Sequence, residues 1–291
     1  MKHLPIALLM SFAVLITAMD AVAQEPTFTN VPYVTNGGER QQLDIYLPKN
    51  YQETEKLPVV VWIHGGGWQS GNKDNMPGKV LLEQGYACVS INYRLSEQAI
   101  FPAQIEDCKA AIRWLRANAK IYHFDPERIG VWGSSAGGHL VALLGTTNNK
   151  KVFDVGENLD QSSTVQAVCD LFGPTDLVTF FDMPERKNNP NNPIEKLLGG
   201  SGTEKKELAA LASPMTHVSK ESPPFLILHG TADKLVPLSQ GTLFHEALKK
   251  AGVDTEMIVA NGLGHDRVAF TAPEKMNDIV AFFNKHLKGK Q

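Results

Sequence analysis

The sequence predicts an α/β fold: a mainly parallel, eight-stranded sheet with helices on both faces and a small lid-like insertion. Three observations predict it. Short apolar runs rich in β-branched residues alternate with amphipathic segments, as expected where each strand returns through a helix. One run, Leu57–Ile63 (LPVVVWI), is apolar throughout, which fits a strand buried on both faces. The alternation lapses once, over residues 176–218, where Pro184, a polar stretch and Gly199-Gly200-Ser201-Gly202 replace it.

Each element follows in order. Residues 31–34 and 43–47 flank a turn at Asn36-Gly37-Gly38 and predict an opening antiparallel hairpin. Leu57–Ile63 is the third strand, and residues 87–93, 128–132, 165–172, 225–228 and 255–260 supply five more. Residues 77–84, 103–119, 139–146, 240–251 and 273–287 read as helices. In the second of these, Ile105, Cys108, Ala111, Ile112 and Leu115 recur at helical spacing and predict a face toward the core. The segment 176–218 is too long for an ordinary connection and reads as a lid or substrate-binding insertion.

Composition narrows the function classes. Lys and Arg number 28 against 31 Asp and Glu, a net charge of −3, with no basic stripe of the kind nucleic acid requires. Met1-Lys2-His3 is a basic start, residues 4–18 are uncharged and mostly apolar, and Ala21-Val22-Ala23 fits a small-residue cleavage site. That apolar run is shorter than a membrane span. The expectation is a signal peptide at 1–23, export to the periplasm or beyond the cell, and one large domain over 24–291 with no membrane association. Cys88, Cys108 and Cys169 are too few for a disulfide framework. Cys88 and Cys169 lie in strand-like runs and read as buried thiols, one disulfide with a leftover thiol being the alternative.

The most informative motif is Gly133-Ser134-Ser135-Ala136-Gly137, a G-x-S-x-G where an apolar strand breaks into a helical run. A serine hydroxyl is a weak nucleophile that must be held clear of the backbone beside a base, and the flanking glycines read as permitting a sharp turn and keeping bulk away from Ser135. Residues 64–68 (HGGGW) follow the strand Leu57–Ile63. Three successive glycines let main-chain N–H groups converge on the negative oxygen that acyl transfer develops. The amides of Gly66, Gly67 and Ala136 are the candidate oxyanion hole. His64 reads as a brace for that loop.

Asp233 ends HGTAD, just after the strand at 225–228, where a carboxylate can orient a histidine. Asp170 and Asp176 are competing carboxylates, but they follow an earlier strand. His265 in GLGHD lies between the last strand and the terminal helix and is the candidate general base. Ser135, Asp233 and His265 stand in the chain order Ser…Asp…His that accompanies G-x-S-x-G. The other histidines show no metal-ligand spacing, so neither metal nor organic cofactor is expected.

With HGGGW, SINYRL (residues 90–95), FPAQIEDCKAAIRWLRANA (101–119), DPERIGVWGSSAGGHLVALLG (125–145), HGTAD and GLGH, the chain resembles α/β-hydrolase serine esterases. It is most similar to the bifunctional feruloyl and acetyl xylan esterases, with hormone-sensitive-lipase-like carboxylesterases nearby. The resemblance runs from about residue 38 to 287. It implies a Ser135–His265–Asp233 triad, an oxyanion loop at 64–68, and removal of acetyl or feruloyl groups from plant cell-wall polysaccharide alongside cleavage of small esters. Trp68 is expected to border the acyl side of the pocket or else to anchor the core. A general short-chain carboxylesterase or lipase, a prolyl-oligopeptidase-type exopeptidase and a non-catalytic binding module are the competing readings.

Overall fold

The computed structural model describes residues 25–52, 54–183, 189 and 191–289; the expected signal peptide and part of the insertion's polar stretch lie outside them. Strand β1 (Phe28–Pro32) pairs antiparallel with β2 (Gln42–Tyr46), Val31 opposite Leu43. The first strand stops at Pro32, two residues short of the predicted end. There Tyr33 turns inward, and its hydroxyl donates to the Asn92 carbonyl at 2.8 Å.

Strands β3 (Leu57–Ile63), β4 (Ala87–Ile91), β5 (Phe124–Ser134), β6 (Ala167–Leu171), β7 (Phe225–Gly230) and β8 (Thr255–Ala260) complete one eight-stranded sheet. Its order is β1-β2-β4-β3-β5-β6-β7-β8, parallel except where β2 meets β1 and β4. Every residue of β3 is buried, as its unbroken apolar run requires.

Helices cover both faces. α2 (Ala103–Ala117), α3 (Ala136–Thr146) and α8 (Leu238–Lys250) pack Ile105, Ile112, Leu140 and Phe244 into one core. α1 (Lys79–Glu83) and α10 (Pro273–Phe283) close the opposite face with Leu82, Ile279 and Phe283. α10 runs on into a π-helical turn, Asn284–Lys288, which accounts for the longer predicted helix. α3 starts three residues before the predicted range of 139–146, with Ala136, Gly137 and Gly138 in its first turn.

Residues 176–218 carry α4 (Leu177–Phe181), α5 (Pro193–Leu198), α6 (Lys206–Ala212) and α7 (Pro214–His217). Ile194, Leu197 and Ala212 are fully buried against the main core. The segment is fastened at several points: Phe101 N–H donates to Leu197 O (2.8 Å), Leu177 N–H to Ser213 Oγ (2.9 Å) and Met215 N–H to Thr175 O (2.9 Å). Cys88, Cys108 and Cys169 are free and buried, and burial pushes all three thiols up. No helix among the described residues is long and apolar enough to cross a membrane.

Candidate active site

The floor of the site is the junction of β5 with α3. Ser135 occupies a backbone conformation of φ 57° and ψ −119°, one that residues with a side chain rarely adopt. Its own N–H donates to Leu171 O (2.9 Å), and its carbonyl accepts from His139 N–H (2.9 Å), so both neighbours over-determine the bend. The flanking glycines meet one half of the sequence expectation, keeping bulk out of the elbow, and not the other, the unusual backbone angle. Neither Gly133 nor Gly137 has a positive φ; what they supply is space. A Cβ on Gly133 would lie 2.6 Å from Gly137 O and 2.7 Å from Ile63 O, and one on Gly137 would collide with Ile63 O. The strained angle belongs to the serine itself.

Beside the elbow runs the loop 64–71. Gly66 (φ 112°) and Gly67 (φ 60°) need the left-handed region, and a Cβ on Gly66 would strike the Ser70 carbonyl. Gly66 O accepts from the N–H groups of Gln69 and Ser70 at 3.0 and 3.1 Å, closing a turn. Among the described residues nothing accepts from the amides of Gly66 and Gly67, which line the cavity. The Ala136 amide opens α3, where a helix leaves N–H groups without intrahelical partners.

His64 holds this loop. Its Nδ1–H donates to Gly65 O (2.7 Å), its Nε2 accepts from the Arg40 guanidinium (3.0 Å), and its ring stacks on Tyr93 at 4.4 Å. Arg40 also donates to Tyr93 O and Gly71 O. Burial, with the Arg40 charge opposing protonation, lowers the His64 pKa to about 4, so the ring is a neutral brace at ordinary pH.

Across the cavity, His265 Nδ1–H donates to Asp233 Oδ2 at 2.7 Å. Asp233 Oδ1 accepts from the N–H groups of Leu235 and Val236 at 2.8 and 2.9 Å. Burial alone would raise the Asp233 pKa; the hydrogen bond from His265 and those from the backbone outweigh it and hold the carboxyl below its usual value. The Asp233 side chain is fully buried and that of His265 is 15% exposed, so the imidazole is what the cavity sees. Phe172, at φ 47°, sets its ring edge-on to His265 at 4.5 Å. A second histidine, His229, lies 3.7 Å from Asp233, but its Nε2–H donates to Val236 O (2.8 Å) and burial keeps it neutral.

Ser135, Asp233 and His265 line one cavity of about 1120 Å³ together with Gly66, Gly67, Trp68 and Ala136. All seven residues singled out from the sequence therefore converge there. No hydrogen bond joins Ser135 Oγ to the imidazole among the described residues; such catalytic contacts often tighten only when substrate binds. Trp68 is a wall residue and an anchor at once. It is 2% exposed, its indole N–H donates to His139 Nδ1 (3.2 Å), and His139 Nε2–H donates to Ala212 O (2.7 Å), tying the loop to α6. The insertion adds Phe180, Met183 and Pro193 to the wall.

Of the competing carboxylates, Asp176 caps α4 through the N–H groups of Val178 and Thr179. Asp170 is fully buried; its Oδ1 accepts from Gly173 N–H and its Oδ2 has no partner among the described residues. Sequence reasoning missed Arg40, Phe172 and His139. A histidine in α3's otherwise apolar AGGHLVALLG was the one signal present; the other two act only through tertiary contacts.

The BD-FAE family model matches residues 43–248. Esterase LipQ of Mycobacterium tuberculosis is 34% identical over 242 residues, 78% of this chain and 54% of the relative. The chain spans about half the length of the curated relatives it matches. Among solved structures, a truncated carbohydrate esterase from gut microbiota is 36% identical, with TM-score 0.81, over 89% of this chain and 95% of that one. An acetyl ester-xyloside bifunctional hydrolase from Caldicellulosiruptor lactoaceticus is 25% identical, with TM-score 0.72, over 88% and 95% respectively.

Proposed function

Because the chain belongs to the BD-FAE family and has the α/β-hydrolase fold of its esterase neighbours, we propose that it hydrolyses carboxylic esters through Ser135, His265 and Asp233. The observation that carries this reading is the His265 Nδ1–Asp233 Oδ2 bond of 2.7 Å in the cavity onto which the strained Ser135 opens. With Nδ1–H given to the carboxylate, Nε2 is left as the basic nitrogen facing the cavity.

Ser135 Oγ attacks the ester carbonyl carbon as His265 Nε2 takes its proton. The carbonyl electrons move onto oxygen, where the amides of Gly66, Gly67 and Ala136 donate to it. Collapse of this intermediate expels the alcohol, which takes the proton from Nε2 and leaves an acyl-Ser135 ester. Water then attacks that ester, giving its proton to Nε2, and the acid departs as the proton returns to Ser135 Oγ. Asp233 stays ionised, orienting the ring and stabilising its cationic form.

The substrate class is acyl groups, acetyl and feruloyl, on plant cell-wall polysaccharide, together with small esters. Similarity to a carbohydrate esterase and to an acetyl ester-xyloside hydrolase supports it, as does a cavity roomy enough for a sugar and an aromatic acid. The basic and apolar start at residues 1–18 supports export to where such polymers lie. The segment 176–218 acts as a lid-like wall, with Phe180, Met183 and Pro193 setting acyl size. Ser135→Ala lowers kcat on a short acyl ester by roughly four orders of magnitude or more; ordinary turnover by that variant would end the proposal. Acetate or ferulate release from acylated xylan tests the substrate, and activity on long acyl chains alone would replace it with a lipase-like one.

A further inference from the structure

Two cations line the cavity without a side-chain partner among the described residues. Lys234 directly follows Asp233, Arg267 lies two residues beyond His265, and both line the cavity with Ser135. Among the described residues neither side chain makes a hydrogen bond or ion pair. The other cations near the site are committed: Arg40 to the loop 64–71, Lys73 to Asp44 at 3.0 Å and Arg94 to Asp107 at 2.9 Å.

Negative charge is correspondingly scarce. Among the described lining residues Asp233 is the one carboxylate, and His265, Leu235 and Val236 engage its oxygens. The neighbouring Asp266 is outside the lining and caps α9 (Arg267–Phe270) through the N–H groups of Val268 and Ala269. The two loops that carry the cations are also joined. Ala232 N–H donates to Leu263 O (2.9 Å) and Gly262 N–H to Thr231 Oγ1 (2.8 Å), so Lys234 and Arg267 ride on one platform.

We propose that Lys234 and Arg267 form an anion subsite for a carboxylate on the leaving alcohol, such as a uronic acid substituent on the acylated glycan. The side follows from the chemistry: His265 must protonate the leaving oxygen, so the alcohol lies against the imidazole and the loops flanking it. A guanidinium presents a planar fork of donors matched to a carboxylate, and the lysine adds a point charge. This inference rests on the esterase reading.

A pair of esters differing only in leaving-group charge tests it: 3-acetoxybenzoate and the neutral 3-acetoxybenzamide, each rate normalised to its alkaline hydrolysis. At about 20 mM ionic strength the benzoate is expected to show a roughly three- to tenfold higher kcat/KM, falling toward parity by about 0.5 M salt. Arg267→Gln and Lys234→Gln each lower that ratio, and Arg267→Glu drives it below one; unchanged melting curves accompany them. A ratio at or below one in the unaltered protein, or one indifferent to all three substitutions, overturns the subsite while leaving the esterase reading intact. Preference for a carboxylate on the acyl side, read with a monosuccinyl ester and absent with the benzoate, overturns its placement. Failure to turn over either acetyl ester strikes the esterase reading itself.

Discussion

The floor of the cavity and its wall are built on different principles. On the floor, β3, β5 and α3 approach so closely that carbonyl oxygens occupy the space where side chains would sit around Gly133 and Gly137. On the wall, Phe180 and Pro193 come from short helices and Met183 from the bend that follows α4, and the glycine facing them, Gly67, has room for a methyl group, its nearest neighbour being Pro193 Cβ at 3.4 Å. The floor therefore holds one strained conformation by backbone contact, whereas the wall is shaped by side chains that can be exchanged. Chemistry is expected to fail when the floor changes, and selectivity when the wall does.

The largest effect expected beyond loss of the nucleophile itself is at Asp233, where floor chemistry meets the β7 loop. Asp233→Asn keeps the shape but removes the charge that holds His265 Nδ1–H, so the ring can adopt the wrong tautomer. A fall in kcat of roughly four orders of magnitude is expected, with KM little changed, in steady-state hydrolysis of a short acyl ester. A loss under tenfold would show that the imidazole is oriented by something other than this carboxylate.

Gly137→Ala probes the floor's close packing. Its methyl would collide with Ile63 O and press on His64 O, carbonyls that cannot yield without moving β3 and the start of the loop 64–71. A loss of about 3 kcal/mol in urea melts is expected. Displacing Ser135 by a fraction of an ångström or more should lower kcat roughly 100-fold. Wild-type turnover in this variant would mean that the elbow tolerates movement, and the contrast with the wall would collapse.

How much was legible in the sequence follows the same division. HGGGW, GSSAG, HGTAD and GLGH combine reactive residue types with glycines, because the floor needs both chemistry and close approach, and the seven candidate residues those motifs name all line the one cavity. The first turn of α3 was not legible, since Gly137 and Gly138 disguise a helix whose backbone must lie against Ile63, Asp170 and Gly173. The reason for the glycines was half legible: they keep bulk out of the elbow, as the motif suggests, but the unusual φ sits on Ser135. Arg40 and Phe172 act only where distant segments meet, and nothing in their local sequence marks them. Helices α4 to α7 were hidden because proline, glycine and polar residues interrupt any periodicity over 176–218.

Asp170 gives the floor a pH signature. Burial raises its carboxyl from 3.8 to about 7, only partly offset by the Gly173 N–H bond. The folded chain therefore keeps a proton that the unfolded chain has lost. Stability from this group is fully present below about pH 3.8, declines as pH rises, and is gone above about pH 7. Asp170→Asn removes the titration. Between pH 5 and pH 8 the variant should gain about 3 kcal/mol relative to wild type in paired urea melts. Parallel pH profiles of the two proteins would show that Asp170 is ionised in the fold.

The smallest effect is expected at Gly67, which sharpens the comparison from the wall side. Its φ of 60° is left-handed, so Gly67→Ala carries a backbone cost of about 1 kcal/mol, but the added methyl meets nothing nearer than 3.4 Å. The amide remains in place to serve the oxyanion, so kcat on an acetyl ester should fall less than tenfold, measured beside Gly137→Ala in the same assay. The methyl points toward Pro193, so bulkier acyl groups should lose more in kcat/KM than acetyl does. Equal losses for Gly67→Ala and Gly137→Ala would mean that angle, and not space, governs both glycines. A selective loss on large acyl groups would place the size filter at the meeting of the oxyanion loop with α5.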